Sequence, residues 1–198
     1  MGTGTNRRGL GSASAVGRAF TVGLVLAVIG LAGCGASQSG AFAWLHPQSP
    51  PSDWKVSQIS SGAELAYPRS WHLQHGDKGT ATAALVAADG TFLGYLNLTP
   101  RQGAETLANW ASFRIAHNVD EGDRSVRRLA AAAGLHFRNG HGSCVKDSYT
   151  TEVGARFIEI ACLVSGPHGE SVVVAAAPPD QWTRGSTVLE RAIEALTT

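Results

Sequence analysis

Apolar and polar positions along the chain change rhythm in ways that mark out elements. Ala63-Glu-Leu-Ala-Tyr67 alternates as a strand does, and Pro68-Arg-Ser-Trp71 turns the chain into a second short strand. Thr80 to Ala87 and Thr91 to Leu98 are apolar runs joined at Ala88-Asp89-Gly90, the composition of a tight hairpin turn. Pro100 to Gly103 ends that sheet segment, and Ala104 to His117 follows helical spacing, with Leu107, Trp110 and Ala111 on one face. Val126 to Ala133 fits two templates. Val126, Leu129, Ala130 and Ala133 have helical spacing ended by Gly134, while the surrounding sequence reads as strand. Val172 to Ala177 is an apolar β-rich run stopped by Pro178-Pro179. A closing helix is expected from about Thr187, where Thr187 and Glu190 form a capping box and Val188, Leu189, Ala192, Ile193 and Leu196 line one face. Paired strands in sequence with few helices predict an α+β domain built on an antiparallel sheet packed against helices.

The first 33 residues follow a different pattern. Arg7, Arg8 and Arg18 precede an uncharged run from Ala19 to Leu31. At 1.5 Å per residue that run spans roughly 20 Å, short of the ~30 Å hydrocarbon core, so it reads as an export signal and not as a spanning helix. Leu31-Ala32-Gly33-Cys34 follows it. This tetrapeptide resembles the lipobox of bacterial lipoproteins. The resemblance implies cleavage before Cys34, lipidation of its thiol with palmitate-like acyl chains, and an exported protein held on the extracytoplasmic side of the cell membrane. Two or three acyl chains hold firmly where one binds marginally. Arg7-Arg8 partly resembles a twin-arginine signal, but Gly9-Leu10-Gly11 departs from its continuation, which favours the general secretory route. The expected organisation is a signal peptide over 1–33, lipidated Cys34 with a flexible linker over 34–53, and one globular domain over 54–198. The Gly/Ser and Pro/Ser composition of the linker predicts a spacer, interrupted by Phe42, Trp44 and Leu45, whose apolar surface packs on the domain or dips into the membrane interface.

Charge changes the picture once the leader is set aside. The whole chain carries 16 basic and 15 acidic residues. Removing the leader's three arginines leaves 13 basic against 15 acidic, a slightly acidic remainder without the positive field that nucleic acid requires.

With Cys34 assigned to lipid, Cys144 and Cys162 form an even pair in a compartment that permits disulfides. Between them, Glu152-Val153-Gly154 has the form of a three-residue hairpin loop with glycine in the left-handed position, which places Thr151 opposite Ala155. Residue numbers across such a ladder sum to 306, a sum that Cys144 and Cys162 meet. A structural disulfide across a hairpin is therefore expected. A redox-active pair is not, since the spacing is far from Cys-x-x-Cys.

Other constellations carry less chemistry. His136, His141, Cys144 and Cys162 have the residue types of a zinc site, but the disulfide competes for both sulfurs. His72 and His75, three apart on a strand, point to opposite faces. Ser143 in Gly140-His-Gly-Ser-Cys144 is the one tempting nucleophile, sharing a strand face with His141, with Asp147 read onto the other face. No serine lies in a Gly-x-Ser-x-Gly elbow. Asp120, Glu121 and Asp123 read as a solvated turn, and Arg124, Arg127 and Arg128 as a solvated face with anionic headgroups as a second reading. No P-loop or dinucleotide fingerprint follows a strand, so no cofactor and no metal are expected.

Ala66-Tyr-Pro-Arg-Ser-Trp71 is similar to the opening of Mog1/PsbP-like domains, with fainter likeness at Leu96-Asn-Leu-Thr-Pro100 and Ala177-Pro-Pro-Asp-Gln-Trp182. The resemblance implies an α/β/α sandwich over about 54–198 and a non-enzymatic accessory or binding role, with an envelope protein or small ligand as partner. Two alternatives stand beside it: a surface serine hydrolase using Ser143 and His141, and a hydrophobic-ligand carrier with a closed apolar cavity. The anchor is tested directly. Cys34→Ser is expected to leave the protein unprocessed or free of membranes, read as intact mass and as membrane partitioning.

Overall fold

The computed structural model describes residues 38–198. The signal peptide expected over 1–33 and the lipidation expected at Cys34 fall outside the described residues. Nine strands and two α-helices follow a 3-10 turn at Gln38–Phe42. They are β1 (Lys55–Gln58), β2 (Glu64–Tyr67), β3 (His72–Gln74), β4 (Ala81–Val86), β5 (Phe92–Pro100), α1 (Trp110–Asp120), β6 (Arg124–His136), β7 (His141–Thr150), β8 (Arg156–Gly166), β9 (Gly169–Ala177) and α2 (Pro179–Glu194).

Strands β3 to β9 form one antiparallel sheet in the order β3-β4-β5-β9-β8-β7-β6, and β1 pairs with β2 apart from it. The chain runs β3-β4-β5, crosses through α1 to the far edge, and returns by the meander β6-β7-β8-β9. The sheet closes where β9 pairs with β5, Tyr95 opposite Ala176 and Pro100 opposite Ser171. Side chains alternate between two faces. On one face Leu96, Leu98, Ile160, Cys162, Val164, Val173 and Ala175 pack with α2 residues Leu189, Ala192 and Ile193. On the other, Val145, Ala161, Leu163 and Val174 pack with Trp110 of α1. Helices thus cover both faces of a sheet that makes up most of the domain, as the α+β reading requires.

The cysteine hairpin forms in the register expected. The Thr151 N–H donates to the Ala155 carbonyl at 2.8 Å, and Gly154 takes φ +91°, where a side chain would be strained. Cys144 stands opposite Cys162 with Cα atoms 4.1 Å apart, and the two are bonded. The β4–β5 turn also forms as read, with Gly90 at φ +86° and the Thr91 N–H donating to the Asp89 carboxylate at 3.0 Å.

One ambiguity is resolved and two boundaries differ from expectation. Residues 126–133 belong to strand β6, whose pairing with β7 shifts register three times. Those bulges imitate helical spacing by breaking the two-residue alternation. Helix α1 starts at Trp110, six residues later than the periodicity suggests, because Thr106 and Asn109 form a reciprocal turn: the Thr106 N–H donates to Asn109 Oδ1 at 2.6 Å and the Asn109 N–H to Thr106 Oγ1 at 3.2 Å. Helix α2 starts eight residues earlier than Thr187. Pro179 holds the first helical position with no side-chain cap, and the Trp182 N–H donates to the Pro178 carbonyl at 2.8 Å. Thr187 and Glu190 are therefore mid-helix, and no capping box exists there.

The segment before β1 is not bare spacer. Phe42 and Leu45 are buried in the core on the α2 face, with Trp44 and Trp54 packed against it. The backbone is tied down as well: the His46 N–H donates to Glu194 Oε1 at 3.1 Å, and the Gln48 N–H to the Glu194 carbonyl at 3.1 Å. Of the two places read for Phe42 and Leu45, they take the domain.

Closing the eighteen-residue separation between Cys144 and Cys162 is worth roughly 3 kcal/mol on chain-entropy grounds. The double variant Cys144→Ala/Cys162→Ala is expected to lose about that much in urea unfolding, with a midpoint that no longer responds to reductant.

Candidate functional site

Helix α1 packs over β6, β7 and β8 and leaves the β4-β5-β9 part of the same face uncovered. What fixes it there is a group of ionisable side chains absent from the sequence-based candidates. Arg114, one turn on from Trp110, faces the sheet and donates through Nε to Glu159 Oε1 at 2.7 Å and through Nη2 to Oε2 at 2.9 Å. Glu159, on β8, is fully buried. The Tyr149 hydroxyl also donates to Glu159 Oε2 at 3.3 Å, and the Tyr95 and Tyr149 hydroxyls lie 3.1 Å apart. Trp110 completes the seat, its indole N–H donating to the Ala161 carbonyl at 2.9 Å.

The electrostatics follow from burial. Desolvation opposes the Arg114 charge, but the Glu159 carboxylate outweighs it and raises the guanidinium's pKa. Burial raises both tyrosines, and the Glu159 charge raises them further, so they serve as hydrogen-bonding hydroxyls. Asp147 stands opposite Glu159 on β7, fully buried with neither carboxylate oxygen hydrogen-bonded. Its carboxyl is pushed up to about 8, first by burial and then by the Glu159 charge, with Arg114 only partly opposing the shift.

Beside this cluster lies an open groove of about 660 Å³. Its floor is the uncovered sheet face: Thr82 of β4, Tyr95, Asn97 and Thr99 of β5, and Val172 and Val174 of β9. The Asn97 amide donates to Thr82 Oγ1 at 2.8 Å. One wall is α1, where the rings of Trp110, Phe113 and His117 stack in series with centroids 6.2 and 6.1 Å apart. His117 Nε2 lies 3.1 Å from Glu121 Oε1 at the far end. The rim is built by Asp77 and Thr80 on one side and Gln102, Gly103 and Glu105 on the other. Glu105 is almost fully buried and accepts the Gln102 N–H at 2.9 Å. A Cβ on Gly103 would meet Glu105 Oε2 at 2.8 Å, so a side chain there would have to displace that carboxylate. The arrangement can stack a flat or ring-shaped molecule against the helix and hydrogen-bond it from the floor.

The sequence-derived residues fall elsewhere. Ser143 is buried, and its hydroxyl donates to the Leu107 carbonyl at 2.6 Å, fastening the loop before α1 to β7. His141 is exposed at the start of the same strand. Asp147 shares the Ser143 face instead of opposing it, because four residues on a two-residue period return to the same side. At about 3.4 Å per residue, Ser143 and Asp147 are roughly 13 Å apart along β7, and His141 and Asp147 roughly 20 Å. The strand therefore spreads the three out instead of assembling a relay. His136 and His141 face each other across β6 and β7, while both sulfurs are joined to each other. Among the described residues no three metal-ligating side chains converge, and no helix is long and apolar enough to cross a membrane. The signal for the missed cluster was a carboxylate within an apolar strand, Glu159 in Phe-Ile-Glu-Ile-Ala-Cys162.

No family model matches the chain, and no curated protein does. Among solved structures, it is similar to PsbP from the cyanobacterium Synechocystis, at 12% identity over 75% of this chain and 94% of that one, with a TM-score of 0.54. LpqN of Mycobacterium tuberculosis matches at 13% identity over 77% of this chain and 88% of that one, TM-score 0.45. PA94 of Pseudomonas aeruginosa matches at 9% over 73% and 96%, TM-score 0.48. The PsbP likeness establishes the fold: a single antiparallel-sheet domain with two helices, PsbP-like in outline.

Asp147 generates a pH prediction. Its proton is held in the folded state up to about pH 8 and lost near pH 4 when unfolded. Folding stability is thus greatest below pH 4 for this group and declines as pH rises through the interval to 8, by an amount on the order of a few kcal/mol. Asp147→Asn is expected to flatten that decline, measured as Tm between pH 5 and pH 8.5.

Proposed function

We propose that this protein is a lipid-anchored, non-catalytic binding protein of the cell envelope, and that the groove beside α1 takes a small polar ligand. The observation that carries the reading is the uncovered sheet face. Thr82, Asn97 and Thr99 offer hydrogen-bonding groups on a floor where packing alone would favour apolar residues, and a stacked aromatic wall stands beside them. The strongest charges nearby, Arg114 and Glu159, are committed to each other. They give the wall rigidity and leave recognition to the neutral groups of the floor and the carboxylates of Asp77 and Glu105 on the rim. The lipobox at Leu31–Cys34 supports the anchor.

The hydrolase alternative needs Ser143 exposed and activated, whereas its hydroxyl is engaged by Leu107. Two measurements test the reading together. A fluorophosphonate probe is expected to leave the protein unlabelled; labelling that disappears in Ser143→Ala would establish the hydrolase instead. Ser143→Ala is itself expected to cost about 1–2 kcal/mol of stability by leaving the Leu107 carbonyl unpaired. In an NMR screen of small polar ligands, shifts are expected to gather at Thr82, Asn97 and Thr99 and to vanish in Asn97→Leu. A screen whose shifts all fall outside the groove would overturn the assignment.

A further inference from the structure

Strand β6 is a free edge of the sheet, paired with β7 on one side only. Its first half carries Arg124, Arg127 and Arg128, all exposed, with Leu129 between Arg128 and Ala130 as the extra residue of a bulge and 47% exposed. Arg124 donates to the Glu152 carbonyl at 3.0 Å. Among the described residues neither Arg127 nor Arg128 makes an ion pair. Of the neighbouring carboxylates, Glu121 is engaged by His117, Asp123 is half-buried and Asp147 is buried beneath α1, while Asp120 and Glu152 are exposed and in no ion pair among the described residues. Next to these arginines, between α1 and β6, lies an apolar groove of about 530 Å³ lined by Ala111, Ile115, Ala116 and Val119, with Asp120 and Arg128 at its border. Val119 is 54% exposed.

The chain's own connectivity says what faces this edge. The 3-10 turn at Gln38–Phe42 packs against β6, held by buried Phe42. Cys34 precedes Gln38 by four residues, a reach of at most about 14 Å when fully extended. The remaining tether is therefore short, and a lipid on Cys34 keeps the β6 side of the domain close to the bilayer. We infer that the β6 edge, with its three arginines and the apolar groove beside α1, is the membrane-facing surface of the domain and docks on anionic phospholipid headgroups. This rests on the reading of Cys34 as the anchor. Arginines hydrogen-bond phosphate in a bidentate manner, and exposed Leu129 and Val119 suit the headgroup boundary. A basic residue at an anionic surface contributes about 1 kcal/mol, a factor of about five in the docked population.

The test uses the mature lipidated protein, purified from membranes and reconstituted into vesicles of phosphatidylcholine with or without phosphatidylglycerol. Flotation reports the anchor, and hydrogen–deuterium exchange reports docking. Amides over 119–130 are expected to exchange about tenfold more slowly on the anionic vesicles than on the neutral ones. In Arg127→Gln/Arg128→Gln most of the difference is expected to be lost, with flotation and Tm unchanged, since both side chains are exposed. Equal exchange on the two vesicle types by protein that floats would overturn the docking and leave the anchor standing. Protein that floats with neither would overturn the anchor and the docking with it.

Discussion

The pair formed by Arg114 and Glu159 decides where α1 can sit, and much of the remaining structure follows from that. A carboxylate in the middle of a sheet is tolerable only if a partner supplies both charge and hydrogen bonds, and the fork of a guanidinium does so in one geometry. Once Arg114 is committed to β8, the helix covers β6 to β8 and cannot slide over β5. The open half of the face, with its polar floor, is the complement of that choice. Replacing the pair with apolar side chains could preserve packing, but it would remove the feature that tells α1 where to stop. The Ser143 hydroxyl on the Leu107 carbonyl and the Trp110 indole on the Ala161 carbonyl fix the helix start in the same sense.

Much of the architecture was legible because hairpins obey strict arithmetic. The Cys144–Cys162 register followed from one glycine and the invariance of a ladder sum, and the β4–β5 turn from Asp89-Gly90. Elsewhere tertiary contacts outrank the local pattern. Bulges in β6 leave its sequence compatible with helix or strand, the Thr106–Asn109 turn delays α1, and Pro179 begins α2 before any capping residue is met. The groove was hidden for a deeper reason. Thr82, Asn97 and Thr99 look like ordinary polar positions on half-exposed strands, and only the cross-sheet pairing of β5 with β9 and the position of α1 bring them to one floor. Glu159 was visible as an acid in an apolar run, whereas Asp147 sits between Lys146 and Ser148, and nothing local says that Arg114, 45 residues away from Glu159, answers one of them and leaves the other alone.

The segment ahead of β1 shows the same contest between composition and contact. Gly, Ser and Pro predict a loose spacer, but two apolar side chains and the Glu194 carboxylate are enough to lay it along the domain. Glu194 accepts from the His46 backbone and from Arg191, and also from the Gln48 side chain. One residue near the C-terminal end of α2 thus holds the strap ahead of β1, and the two segments are structurally interdependent.

The closure of the sheet has a kinetic meaning. β5 finds β9 across about eighty residues, Tyr95 meeting Ala176, whereas β6 to β9 are joined by short turns and can zip up locally. Loop-closure entropy makes the distant pairing the slow event. Until it happens, the β3-β4-β5 unit and the meander are separate half-sheets, each with an unsatisfied edge where another strand of suitable sequence would pair. Anything that shields the β5 edge during this interval would act on yield without ever touching the finished protein.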